Sequence, residues 1–362
     1  MLVRCLVIAA IYAAVVPAFA QGLPNAEDMF LRGVFRPGPA KIVDENHRGQ
    51  ELDLSVRRPV FDLWGTVLAE RYGRPGTRLI ANFYHSGKFY IARVPTTGVK
   101  NVYFVRSYFP LSFLGHHLFA HSLMRIEMAN PVELVAEMPD EQELNRLRRL
   151  GHEEQFRQLP APLTGEDNKI TNLAVSAEAQ WTKDDRKKEY SLVRGERGAF
   201  IQIVRVMSMQ TRFEEFYQTG NPTSQDKLNS SSFDSILRES INKSESEGLN
   251  SVYNTINYNC TTLIMDILEP ALGKSDRRLG FIRKTLERRI PTIANYKVDY
   301  YGAGKYLPMQ LDPTLVHESA AAYAKVTASG IDPLKNRLLS NEQRKNIRRA
   351  IEFIKASPPH ED

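Results

Sequence analysis

Four runs of β-branched and aromatic residues follow one another between residues 78 and 128, and each is closed by a turn signal. The runs 78–84, 89–94, 99–106 and 118–128 are separated by His-Ser-Gly-Lys, by Pro-Thr-Thr-Gly and by a proline-containing turn. Side chains branched at Cβ suit a pleated, half-buried surface, and short connections make neighbouring strands antiparallel. Helical spacing comes later in the chain. Leu144, Leu147 and Leu150 share one face of the charged stretch 140–159, and helical patterning resumes from Thr211. A further strand is expected at 199–207, the interval 160–190 reads as polar and loop-like, and 230–247 reads as either a helix or a mobile connection. These patterns predict an α+β fold in which helices pack on an antiparallel sheet.

The N-terminus has a different grammar. Arg4, an apolar run to Val16 and then Pro-Ala-Phe-Ala before Gln21 give the charged, apolar and small-residue order of a secretory signal peptide, cut near Ala20. Residues 1–20 are therefore expected to be removed and the chain to be periplasmic or secreted. Residues 21–77, rich in Pro, Gly and Arg, read as an N-terminal arm or cap; 78–310 read as the main domain and 311–362 as a C-terminal helical extension. The formal charge of the whole chain is +6. That excess suits an anionic envelope surface and peripheral membrane contact. The basic stretches at 283–289 and 344–349 alternate with apolar positions, as solvated helix faces do, and no nucleic-acid partner is expected.

Of the two cysteines in the chain, Cys5 leaves with the signal, so the expected mature protein carries Cys260 alone. A lone thiol in an oxidising compartment is either a reactive residue or a buried one serving as a small apolar group. Leu263, Ile264, Ile267 and Leu268 recur at helical spacing as far as Pro270, and Asn259 is a favourable N-cap. Cys260 is thus expected in the first turn of a short helix, where unpaired N–H groups and the helix dipole favour a thiolate.

A thiol nucleophile needs a base, and imidazole is the side chain suited to that role near neutral pH. Four of the eight histidines, His47, His152, His317 and His360, lie in polar or terminal surroundings, and His85 sits in a Tyr-His-Ser-Gly turn. His116, His117 and His121 are different, because they introduce the apolar strand Ser122-Leu123-Met124-Arg125-Ile126. A histidine at a strand start facing a cysteine at a helix start is a papain-like arrangement, here with the histidine first in the chain; alternatively His121 only caps its strand. One cysteine and scattered histidines lack metal-ligand spacing, so no metal or other cofactor is expected.

Ala-His-Ser-Leu-Met-Arg-Ile at 120–126 and Tyr-Asn-Cys-Thr-Thr at 258–262 resemble the two signatures of the Lnb N-terminal periplasmic domain family. That family is similar to the circularly permuted branch of the NlpC/P60 papain-like superfamily, which also holds lecithin:retinol acyltransferase-like enzymes. The resemblance covers about residues 80–310. It implies a papain-like core with Cys260 as nucleophile, His121 as general base, Asn259 and Thr261 shaping the turn, and Arg125 at the family's arginine position, where it orients a substrate anion or pairs with an acid. Ala120 stands where the family usually has glycine, and Gly115-His116 offers a competing match, so His116 is the alternative base. The third polar member is expected on the next strand, with Glu133 the first candidate and Glu137 the second.

The expected activity is that of an exported thiol hydrolase or acyltransferase acting on an amide or ester of the cell envelope. Peptidoglycan peptides come first as substrates and lipid or lipoprotein acyl groups second. The contrasting expectation is a non-catalytic envelope binding or scaffolding protein that retains the fold.

Overall fold

The structure is a computed structural model that describes residues 55, 57–108, 112–113, 116–117, 120–181, 200–228, 233–247, 251–254, 259–271 and 308–357. Along the first half of the chain run β1 (Phe61–Asp62), α1 (Val67–Tyr72), β2 (Thr77–His85), β3 (Lys88–Pro95), β4 (Val99–Tyr108), β5 (Ser112–Phe113), β6 (His116–His117) and β7 (Ala120–Glu137). There follow α2 (Glu141–Arg148), α3 (His152–Gln158), β8 (Lys169–Gln180), β9 (Phe200–Ser208), α4 (Met209–Thr219), β10 (Thr223–Lys227), α5 (Asp234–Glu247), β11 (Ser251–Tyr253) and α6 (Cys260–Ala271). Two C-terminal helices, α7 (Val316–Ala328) and α8 (Asn341–Ala356), complete the α+β architecture.

The main sheet has the order β1-β2-β3-β7-β8-β9-β11, with β4 pairing β7 and β10 pairing β4. Strand β7 is its spine. Its first half pairs with β4 from Tyr108↔Ala120 to Val99↔Met128, and its second half pairs with β3. Tyr84 also pairs in parallel with Met207, so the path from β2 through β3, β7 and β8 to β9 returns to β2 and the sheet is strongly curled. Asn82 contributes to this shape. Its φ of 64° creates an irregularity between Ile80 and Phe83, which lets both of those side chains enter the same apolar cluster.

One face of the sheet is covered by α5 and α6. Met124, Ile126, Val175, Ala177, Val204 and Val206 meet Ile236, Ile241, Leu263, Ile264 and Ile267 there, in the cluster that also holds Cys260. Each fully buried aliphatic side chain of this kind contributes about 1.5–3 kcal/mol. Elsewhere Val105, Leu123, Ala174 and Met207 pack against α4, α7 and α8, while Leu79, Ala81, Ile91 and Val135 pack against α1, α2 and α3. Among the described residues no helix is long and apolar enough to cross a membrane.

Several elements differ from the sequence expectations. The strand expected at 118–128 continues to Glu137, because Val132, Leu134 and Ala136 keep the alternation after Asn130-Pro131. The charged stretch 140–159 forms two helices, with Gly151 standing extended as the N-cap of α3. The loop-like interval conceals β8, a twelve-residue, largely buried strand whose alanines carry a weak strand signal. The open choice at 230–247 resolves to helix α5 from Asp234.

Candidate active site

Cys260 is the first residue of α6, and the side chains around it hold that end of the helix in place. The Asn259 Oδ1 accepts hydrogen bonds from the N–H groups of Thr261 at 2.9 Å and Thr262 at 3.2 Å, while the Thr262 hydroxyl oxygen accepts from the Asn259 N–H at 2.7 Å. These contacts satisfy donors that every helix start leaves without intrahelical partners. The Thr261 hydroxyl meets the Ser122 hydroxyl at 2.8 Å, which fastens the first turn of α6 to the first residues of β7. Asn259, Thr261 and Ser122 are all buried, so this corner is fixed by packing as well as by hydrogen bonds.

That fastening brings the thiol to His121. Burial, with Cys260 only 5% exposed, pushes the thiol pKa up, but four interactions act against it. They are the charge of His121, a hydrogen bond from its ring, a hydrogen bond from the Ser122 backbone N–H and one from the Thr261 hydroxyl. Their sum holds the Cys260 pKa below its ordinary value.

The imidazole is in turn held from the neighbouring strand. Its Nε2 lies 2.7 Å from the Ser176 hydroxyl oxygen, and Ser176 is fully buried on β8. The register pairs Leu123 with Ser176 and Ser176 with Arg205, so Ser176 and Glu178 share the sheet face of His121. Behind the histidine, Glu178 accepts hydrogen bonds from Arg205 Nη1 at 2.9 and 2.8 Å and an ion pair from Arg57 Nε at 2.8 Å. Burial would raise the Glu178 carboxyl, but Arg205, Arg57 and His121 hold it well below the usual carboxylate range. A permanent carboxylate therefore lies in the field of the imidazole.

The remaining expected site residues lie elsewhere. Glu133 and Glu137 are not on the next strand: they are further along β7 itself. Glu133 is twelve positions from His121, roughly 40 Å of extended chain, and it pairs with Arg93 and with Arg74 at 3.3 Å. Glu137 pairs with Lys88 at the surface. Neither reaches the imidazole, and the polar partner on the adjacent strand is Ser176. Arg125 is fully buried and points into protein. It donates to Asn172 at 3.1 Å, Gln225 at 3.2 Å, Asp312 at 2.6 Å and Thr314 at 2.7 Å, with its guanidinium 4.4 Å from the Tyr103 ring centroid. Of the two roles left open for it, pairing with an acid is the one realised, and it secures the C-terminal segment to the sheet. His116 lies in the short β5–β6 pairing with Phe113, and its side chain lies outside the described residues.

Ser176, Glu178 and Ser122 escaped sequence reasoning for different reasons. Ser176 and Glu178 sit on the strand that was not recognised. Ser122 contributes its backbone N–H to the thiol and its hydroxyl to Thr261, 139 positions away, and neither contact leaves a local sequence signal. The basic stretch at 283–289 lies outside the described residues. Among the described residues no group of three or more His, Cys, Asp or Glu side chains is placed to hold a metal ion.

No protein-family model, curated protein or solved structure matches this chain.

Proposed function

We propose that the chain is a cysteine-dependent hydrolase or acyltransferase with Cys260 as nucleophile, His121 as general base and Ser176 as the residue that orients the imidazole. The observation that carries this reading is the place of Cys260 at a helix start beside His121, whose ring favours the thiolate and is itself hydrogen-bonded from the next strand. Nucleophile, base and orienter within mutual reach is the constellation that acyl transfer requires.

In this reading His121 takes the Cys260 proton, and the thiolate attacks an ester or amide carbonyl. The developing oxyanion forms at the amino end of α6, where backbone N–H groups and the helix dipole oppose its charge. Collapse of the tetrahedral species breaks the bond to the leaving group, which takes the proton back from His121. An acyl-thioester remains on Cys260, and water or another acceptor, deprotonated by His121, resolves it.

The order of these parts, histidine strand, orienting strand, then cysteine helix packed on the same sheet, supports a circularly permuted papain-like core and the resemblance to the Lnb N-terminal periplasmic domain family. The signal-like residues 1–20 support export. A cell-envelope substrate, a peptidoglycan peptide first and a lipid or lipoprotein acyl group second, follows from that location. The second reading, an envelope scaffold that keeps the fold, draws on the near-complete burial of Cys260 within an apolar cluster.

Exposure of the protein to an activated acyl thioester followed by peptide mass mapping separates the two. The enzyme reading expects the acyl mass on Cys260, released by hydroxylamine and absent from the Cys260→Ser and His121→Ala variants. A Cys260 that remains unmodified in the folded wild-type protein contradicts it.

A further inference from the structure

The connection between α7 and α8 carries a feature that the proposed chemistry does not use. Leu338 is 93% exposed and Ile331 is 43% exposed, the two ends of one short loop. This loop is built rather than slack. The Leu334 N–H donates to Asp332 Oδ1 at 3.0 Å, the Leu338 N–H donates to Asn336 Oδ1 at 3.0 Å, and the neighbouring Leu339 is buried against α8 and α4. The backbone is thereby fixed with one leucine turned in and the next turned out. Holding a leucine almost fully in water forfeits roughly 1.5–3 kcal/mol of burial.

The surface beside it is basic. Residues 331–357 contain seven Lys and Arg against three Asp and Glu, so this short segment supplies +4 of the chain's formal +6. On α8, Gln343, Asn346, Ile347, Ala350 and Ile351 face the protein, and the opposite face presents Lys345, Arg348, Arg349 and Lys355 to solvent together with Glu342 and Glu352, which leaves it with a net charge of +2. Lys335 pairs with Asp332, but among the described residues Arg337, Lys345, Arg348 and Arg349 have no carboxylate partner.

We propose that this face docks on the surface of an anionic lipid bilayer, with Leu338 and Ile331 entering the headgroup region and the basic face of α8 lying against lipid phosphates. The pairing of the two features selects this partner. A cationic face alone is satisfied by any polyanion, whereas an exposed leucine in the loop that leads into it gains only where an anionic surface borders hydrocarbon. The proposal is independent of the chemistry at Cys260.

Cosedimentation of the full chain with vesicles of phosphatidylcholine alone, or with about a third phosphatidylglycerol, tests it, since each basic residue near an anionic surface contributes about 1 kcal/mol, or about fivefold in partitioning. The expected result is binding to the anionic vesicles only, weakened by high salt. Partitioning should fall at least tenfold in Arg348→Glu/Arg349→Glu and severalfold in Leu338→Ser, with the melting temperature of each variant unchanged. A Leu338→Trp variant should show an added blue-shifted emission on anionic vesicles relative to wild type. Absence of binding to anionic vesicles overturns the proposal, and so does binding that either set of folded variants leaves intact.

Discussion

His121 and Ser176 meet across the β7–β8 pairing at 2.7 Å, Nε2 to Oγ, in a partnership between a strand that the sequence displays and one that it hides. With Nε2 so engaged, the ring's orientation toward Cys260 is set from the adjacent strand. Replacement of Ser176 by alanine should therefore slow thiol alkylation by about tenfold, the value of roughly one hydrogen bond. Glu133→Gln and Glu137→Gln should leave the rate at the wild-type value. Alkylation kinetics on the four proteins check this, and an unchanged rate in Ser176→Ala removes the serine from the site.

Arg125 is predicted to act on stability. Its replacement by methionine strands Asp312 in a buried position, and loss of one partner of a buried pair typically costs about 3–5 kcal/mol. The double variant Arg125→Met/Asp312→Asn should recover part of that loss. Urea denaturation measures both; a single variant within about 1 kcal/mol of wild type would argue against the buried lock.

Gln202 is fully buried on β9, and among the described residues both its amide atoms are without a hydrogen-bond partner. Leaving such a group unsatisfied costs about 1–3 kcal/mol. Val204 and Val206, further along the same strand face, already pack in the apolar cluster. The Gln202→Leu variant is therefore expected to melt higher than wild type. A lower melting temperature would mean that the amide is satisfied in solution.

The buried carboxylate behind the histidine gives the protein an acid limb. Because the folded-state pKa of Glu178 is depressed, its contribution to stability is complete above the unfolded value of about 4.3 and is lost progressively as pH falls below it. Glu178→Gln should be less stable at neutral pH, with buried Arg205 left only the half-buried Glu215 carboxylate at 3.5 Å, and should lose less stability between neutral and acid pH. Parallel denaturation curves over that range for the two proteins would place the acid limb elsewhere.

The α+β class was legible because the runs between residues 78 and 106 are rich in β-branched and aromatic residues and are closed by Gly and Pro turns. The first turn of α6 was legible for a similar local reason, with Asn259 an N-cap and Leu263, Ile264, Ile267 and Leu268 a helical stripe. What failed was non-local. Lys169–Gln180 reads as loop because Ala174, Ala177 and Ala179 have little intrinsic strand preference, and burial between β7 and β9 is what makes them a strand. With that strand reading as loop, Glu133 and Glu137, farther along β7 itself, stand in as the expected partners of His121. The buried role of Arg125 depends on Asp312, a contact across 187 positions that no local pattern encodes.

The most direct test of the central claim is the rate of Cys260 alkylation by iodoacetamide as a function of pH, in wild type and in His121→Ala. The account predicts a wild-type midpoint below the free-thiol value of about 8.5. It also predicts an upward shift in the variant, where burial acts on the thiol without the imidazole to oppose it. Superimposable profiles in the two folded proteins would contradict the thiol–imidazole pair and with it the proposed chemistry.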